Sequence, residues 1–178
     1  GAGARENVLR LFFNWLIYMV LLAGLSACGF QLRTYGFSAA VDSYTISGDS
    51  YANIAADIRR GLNQAGLTEK PSGEGTLNLE LLDHERQRRA VSTSQSALVA
   101  EYETRLSVTY RILGMDGKEL APAVEIDRRR VYRVDRVNIV GNSEEQALLE
   151  RELQQDIVGQ IIRAMDSVGR MLASSNAG

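Results

Sequence analysis

The stretch "LVAEYETRLSVTYRI", Leu98 to Ile112, constrains the fold more than any other part of the chain. Leu98, Ala100, Tyr102, Thr104, Leu106, Val108, Tyr110 and Ile112 alternate with Glu101, Glu103, Arg105, Ser107, Thr109 and Arg111. Side chains of a strand point alternately to its two faces, so this pattern predicts a long amphipathic strand with one face against a core. The polar face is left for water or for a partner.

Other elements follow from their own periods. Tyr44 and Ile46 alternate with polar neighbours in "SYTIS" (Ser43–Ser47), a short strand. Asp49 or Ser50 is placed to cap a helix whose apolar stripe is Tyr51, Ile54, Ile58 and Leu62, and Gly66 is placed to end it. The polar "TEKPSGEG" (Thr68–Gly75) reads as a loop. Leu77, Leu79 and Leu81 alternate with polar residues as a strand, and Met115-Asp116-Gly117-Lys118 supplies a turn after the long one. Val124, Ile126, Tyr132 and Val134 suggest a further strand interrupted by arginines. Ser143 and Gln146 match a capping box that opens a long C-terminal helix, with Leu149, Leu153, Ile157, Ile161, Met165, Val168 and Leu172 as its stripe.

The expected architecture is α+β: two helices packed on one face of a four-stranded, mostly antiparallel sheet in the order β-α-β-β-β-α, preceded by a lipoprotein signal peptide. In domain terms, 1–27 is the signal, 28–42 a lipidated linker, 43–172 a single periplasmic α+β domain and 173–178 a frayed tail.

The expectation of a signal rests on the chain's single cysteine. Arg5 and Arg10 precede the uncharged run Leu11–Ala27, which ends in Leu25-Ser26-Ala27-Cys28. A basic segment, a short apolar segment and small residues at its end make a secretory signal. Small residues followed by cysteine make the lipobox of bacterial lipoproteins, in which the thiol takes a diacylglyceryl group and the new amino group is acylated. Cys28 is therefore the expected lipid attachment site, and two acyl chains supply the stable anchoring that one cannot. Glycine at position 29, where aspartate would retain a lipoprotein in the inner membrane, points to the outer membrane on its periplasmic side. Lipidation leaves no thiol, so no disulfide holds the domain together.

Composition excludes several functions. From Cys28 onward the chain carries 18 basic and 21 acidic residues, a near-neutral balance unlike that of a general nucleic-acid binder. His84 is the only histidine, so a histidine–cysteine metal cluster has no ligands and no "GxSxG" elbow exists for a serine site. His84, among Asp83, Glu85 and Arg86, reads as a solvated imidazole. We expect no enzyme, metal or cofactor, but a binding or assembly protein.

The positive signal is arginine. "HERQRRAVSTSQS" holds Arg86, Arg88 and Arg89, and "IDRRRVYRVDR" holds Arg128, Arg129, Arg130, Arg133 and Arg136. Neutralised by Asp83, Glu85, Asp127 and Asp135, these segments would only solvate the sheet. Merged into one patch, they would recognise a phosphorylated ligand by bidentate contacts. Strand phase places Arg86, Arg88, Arg129 and Arg133 on the open face, away from the helices. Arg89 shares the apolar phase and needs a bulge, or the end of the strand, to escape the core.

Four segments, "CGFQLR", "IRRGLNQAGL", "AEYETRLSVTYRIL" and "YRVDRVNIVGNSEEQALLERELQQDIVGQIIRAM", together resemble the lipopolysaccharide-assembly lipoprotein family LptE in order and spacing. The resemblance implies two helices on a four-stranded sheet. It also implies a 1:1 complex with the large outer-membrane β-barrel of the lipopolysaccharide translocon, which the domain plugs and helps to assemble, and binding of lipopolysaccharide. Similar proteins carry a basic residue just before the "AEY" strand; here "STSQSALVAEY" (Ser92–Tyr102) has none, and Arg86, Arg88 and Arg89 are the nearest substitutes for phosphate binding. The alternative is a free periplasmic-facing lipoprotein that binds another anionic lipid or envelope component without a barrel.

Overall fold

A computed structural model of the chain describes Phe37 and residues 40–48, 51–93, 99–135 and 139–176. The chain divides into two units, 1–34 and 35–178, and the described residues all belong to the second. Cys28, the signal at 1–27, the Asp49 and Ser50 caps and Arg136 lie outside the described residues.

Seven elements follow in order: β1 (Ser43–Ser47), α1 (Ala52–Gln64), β2 (Thr68–Glu69), β3 (Leu77–Thr93), β4 (Val99–Gly114), β5 (Glu119–Asp135) and α2 (Ile139–Asn176). They build one mixed sheet in the order β2-β1-β3-β4-β5. β1 runs parallel to both β2 and β3, whereas β3, β4 and β5 form an antiparallel meander. The fold is α+β as expected, but the sheet has five strands, not four, and is mixed.

The extra strand arises where a loop was expected. Thr68 and Glu69 are exposed and polar, so no side-chain period marks them. Their backbone defines the strand: the Thr68 amide donates to the Asp42 carbonyl at 3.0 Å and the Lys70 amide to Tyr44 at 2.8 Å. β3 also outruns its leucines, to Thr93, because cross-strand hydrogen bonds to β4 continue through residues with no apolar alternation.

Both helices cover one face of the sheet. Ile54, Ile58 and Leu62 of α1 meet Leu153, Ile157, Ile161 and Met165 of α2 over Leu77, Leu79, Leu106, Val108 and Ile112, all essentially inaccessible to water. Full burial of such a side chain contributes about 1.5–3 kcal/mol, so this cluster is the main source of stability. α1 ends as Gly66 predicts: at φ +92 the glycine takes the left-handed conformation, its amide bonds Asn63 O, and the Leu67 amide reaches back to Leu62 O. The helices cross closely at Gly61, where a Cβ would fall 2.3 Å from Ile162 Cδ1.

Three boundaries differ from expectation. Val41 is buried in the core and Phe37 packs against it, so the domain begins before Ser43. α2 starts at Ile139, which places Ser143 inside the helix rather than at its cap. Asn142 ties this start down, accepting the Asp135 amide at 3.2 Å and donating to the Asp135 carbonyl. The helix also continues through Ala173 to Asn176 instead of fraying, with the Ser174 and Ser175 hydroxyls bonding Met171 and Leu172 carbonyls.

Candidate functional site

One residue reorganises the arginines. β3 and β4 pair in register until Leu81 meets Tyr110, and the next pair is Asp83 with Thr109, so Leu82 is an extra residue in β3. A β-bulge of this kind shifts the side-chain phase by one. Beyond it, His84, Arg86 and Arg88 oppose Val108, Leu106 and Thr104, which belong to the helix-covered face. Arg86 and Arg88 therefore lie on the side of the sheet that the helices cover, not on the open face. Arg89 opposes Glu103 and does reach the open face. Arg129 and Arg133, opposite Arg105 and Glu101 on β4, lie where the strand phase puts them, on the open face. The five arginines thus form two groups on opposite sides of the sheet.

On the open face every arginine of the described residues is held by a carboxylate. Arg89 pairs with Glu103 at 2.9 Å and Arg133 with Glu101 at 3.1 Å. Arg105 binds Asp127 and lies 3.3 Å from Glu125, Arg129 reaches Asp127 at 3.7 Å, and Arg111 binds Glu80. Asp127 and Glu80 hold the guanidinium groups of Arg105 and Arg111 more firmly protonated than usual. Individually such exposed pairs contribute little. Together they make a polar, internally neutralised surface with little capacity left for an anionic ligand.

On the helix-covered side the arginines act differently. Arg86 on β3 donates to Glu150 at 3.1 Å; on β5, Arg130 reaches Asp156 at 3.3 Å and Arg128 binds Gln160. The middle of α2, from Glu150 to Gln160, is thus gripped from both sides. Among the described residues Arg88 makes no ion pair: its guanidinium carbon lies 4.1 Å from the Tyr102 ring centroid and 5.8 Å from that of Tyr132. A guanidinium over an aromatic face keeps its charge and its hydrogen-bond donors. Burial raises the pKa of the Tyr132 hydroxyl, and the neighbouring Arg88 opposes the rise through its charge and hydrogen bonding.

His84 is half-buried rather than solvated. Its ring meets Tyr51 edge-on with centroids 6.1 Å apart, and Nε2 is buried without a partner. Burial, reinforced by the Arg86 charge, lowers its pKa; Asp83 pulls weakly the other way.

A cleft of about 420 Å³ opens between α1 and α2 against β3, lined by Asp57, Arg60, Arg86, Glu150, Arg151 and Gln154. Arg60 and Arg151 did not stand out in the sequence, since isolated arginines on polar helix faces carry no pattern. Among the described residues no histidine, cysteine and carboxylate cluster could hold a metal, and no helix is long and apolar enough to cross a membrane.

A family model for LptE, lipopolysaccharide-assembly, matches residues 41–165. No curated protein matches the chain. Among solved structures, a lipoprotein B from Nitrosomonas europaea superposes with a TM-score of 0.68 at 24% identity, covering 78% of this chain and 91% of its own. The rare lipoprotein B from Shewanella oneidensis gives 0.63 at 25% identity over 74% and 99%. A minor lipoprotein from Acinetobacter baumannii gives 0.58 at 16% over 71% and 92%.

Proposed function

Because the chain belongs to the LptE family of lipopolysaccharide-assembly proteins, we propose that it is the lipid-anchored subunit of the lipopolysaccharide translocon. Membership carries a role in lipopolysaccharide assembly, and the family is one of assembly lipoproteins rather than enzymes. In the finer reading, Cys28 anchors the protein to the periplasmic side of the outer membrane. The α+β domain plugs a large β-barrel as a 1:1 partner, aids its assembly, and binds lipopolysaccharide in transit.

The observation that carries this reading is the match over residues 41–165, which takes in all five strands, α1 and most of α2. The open face supports the plug. Barrels of the outer membrane are polar inside, and a plug must meet that wall without an apolar surface of its own. A sheet face tiled with paired arginines and carboxylates satisfies the condition.

Lipopolysaccharide binding falls to the helix-covered side. Arg89, Arg129 and Arg133 each pair with a carboxylate, Glu103, Asp127 and Glu101, and Arg86 pairs with Glu150, whereas Arg88 pairs with none among the described residues. Charge-assisted hydrogen bonds from such groups to lipid phosphates contribute on the order of 1.5–3 kcal/mol each when shielded, and less where water and salt reach them.

Depletion of the protein in growing cells tests the role. Folded barrel in the outer membrane and lipopolysaccharide at the cell surface should both fall. Unchanged levels of both would contradict the proposal.

A further inference from the structure

The cleft between α1 and α2 brings together guanidinium groups from three elements: Arg60 on α1, Arg86 on β3 and Arg151 on α2. Two carboxylates share it, and both are spent. Asp57 accepts Arg60 Nη1 at 3.0 Å on one oxygen and the Gln154 amide on the other. Glu150 accepts Arg86 Nη1 at 3.1 Å and the Gln146 amide at 2.9 Å. Arg60 and Arg86 thus each commit one nitrogen and keep further donors, while Arg151 pairs with no carboxylate among the described residues. Three cations against two satisfied anions leave the cleft positive, in contrast to the neutralised open face.

The carboxylates also have a positive effect. Each pairs with one guanidinium group and so biases it toward the cleft, which lowers the cost of ordering it on a ligand. Guanidinium forks match the oxygens of a phosphoryl group bidentately. At about 420 Å³ the cleft has room for a phosphate together with the sugar that carries it.

We propose that this cleft binds a phosphoryl group borne on a saccharide, through Arg60, Arg86 and Arg151. Its assignment to the phosphorylated head of lipopolysaccharide, rather than to a soluble phosphate, rests on the proposed function.

Binding titrations of the full chain in detergent test the inference, with sodium pyrophosphate and purified lipopolysaccharide in the same detergent as separate probes. Arg60→Gln combined with Arg151→Gln should weaken both at least tenfold. Arg163→Gln removes the same charge from α2 outside the cleft and should leave both within twofold. Arg151→Gln alone breaks no ion pair, so it reports on the cleft even if the double variant folds poorly; it should weaken both about threefold. Pyrophosphate binding lost in the cleft variants, with no lipopolysaccharide binding by the parent chain, would support the cleft with a soluble ligand and overturn the lipopolysaccharide reading. Lipopolysaccharide binding that survives unchanged in the cleft variants, or losses as large in Arg163→Gln, would overturn the cleft and leave that reading standing. A parent chain that binds neither probe would overturn both.

Discussion

The Tyr51 hydroxyl donates a 2.9 Å hydrogen bond to the carbonyl oxygen of Leu82, the residue at which β3 slips against β4. Tyr51 stands just before α1, and the edge of its ring meets His84 two residues beyond the bulge. One side chain therefore holds the irregularity that decides which arginines face the helices. Tyr51→Phe keeps the ring and removes the bond. It should cost about 0.5–1.5 kcal/mol in urea unfolding, with the sheet content retained in circular dichroism. An unchanged midpoint would show that the bulge holds without Tyr51.

His84 makes stability depend on pH below neutrality. Burial holds its pKa below the usual 6.5, so as pH falls the unfolded chain takes up a proton that the folded chain resists. Stability should be full well above the usual histidine value of 6.5 and decline as pH falls through and below it. Because the chain has one histidine, His84→Gln should flatten that slope in chemical unfolding at several pH values. A slope that persists in the variant would assign it to other groups.

The sequence made the strands legible but not their faces. Alternation from Leu106 to Ile112 and the stripe from Leu153 to Val168 both locate residues that are buried in the core. The residues after the bulge at Leu82 carry no apolar alternation to reveal the changed phase, so its only trace is the adjacent pair Leu81-Leu82, which cannot both face the core. Simple alternation therefore puts Arg86 and Arg88 one phase out, whereas Arg129 and Arg133, on the unbroken phase, face the side it predicts. β2 was hidden because backbone bonds, not side chains, define it. The pairing of Arg89 with Glu103 and of Arg133 with Glu101 depends on cross-strand register, which no single segment encodes.

The two arginine groups should separate in lipopolysaccharide binding. Arg86→Gln with Arg88→Gln, on the helix-covered side, should weaken affinity about tenfold, or about 1.4 kcal/mol. Arg129→Gln with Arg133→Gln, which only releases carboxylates on the open face, should change it less than twofold. Titration of both variants at low and high salt measures the contrast. A larger loss from the open-face pair would reverse the assignment.

Lipid anchoring is expected to depend on Cys28 alone, the chain's single thiol. Cys28→Ala should leave the protein without diacylglyceryl and with its leader uncleaved. Intact-mass spectrometry of the membrane-extracted protein reads both outcomes, and a lipidated Cys28→Ala variant would refute the assignment.

Partnership with a barrel is the central claim, and its direct measurement is stoichiometry. The chain is extracted from its own outer membrane in mild detergent, purified through an affinity tag, and its mass determined in solution. The account predicts a 1:1 complex with a large β-barrel that migrates differently on gels before and after heating. Recovery of the lipoprotein free of any such barrel would contradict it and favour a free lipoprotein that binds its ligand alone.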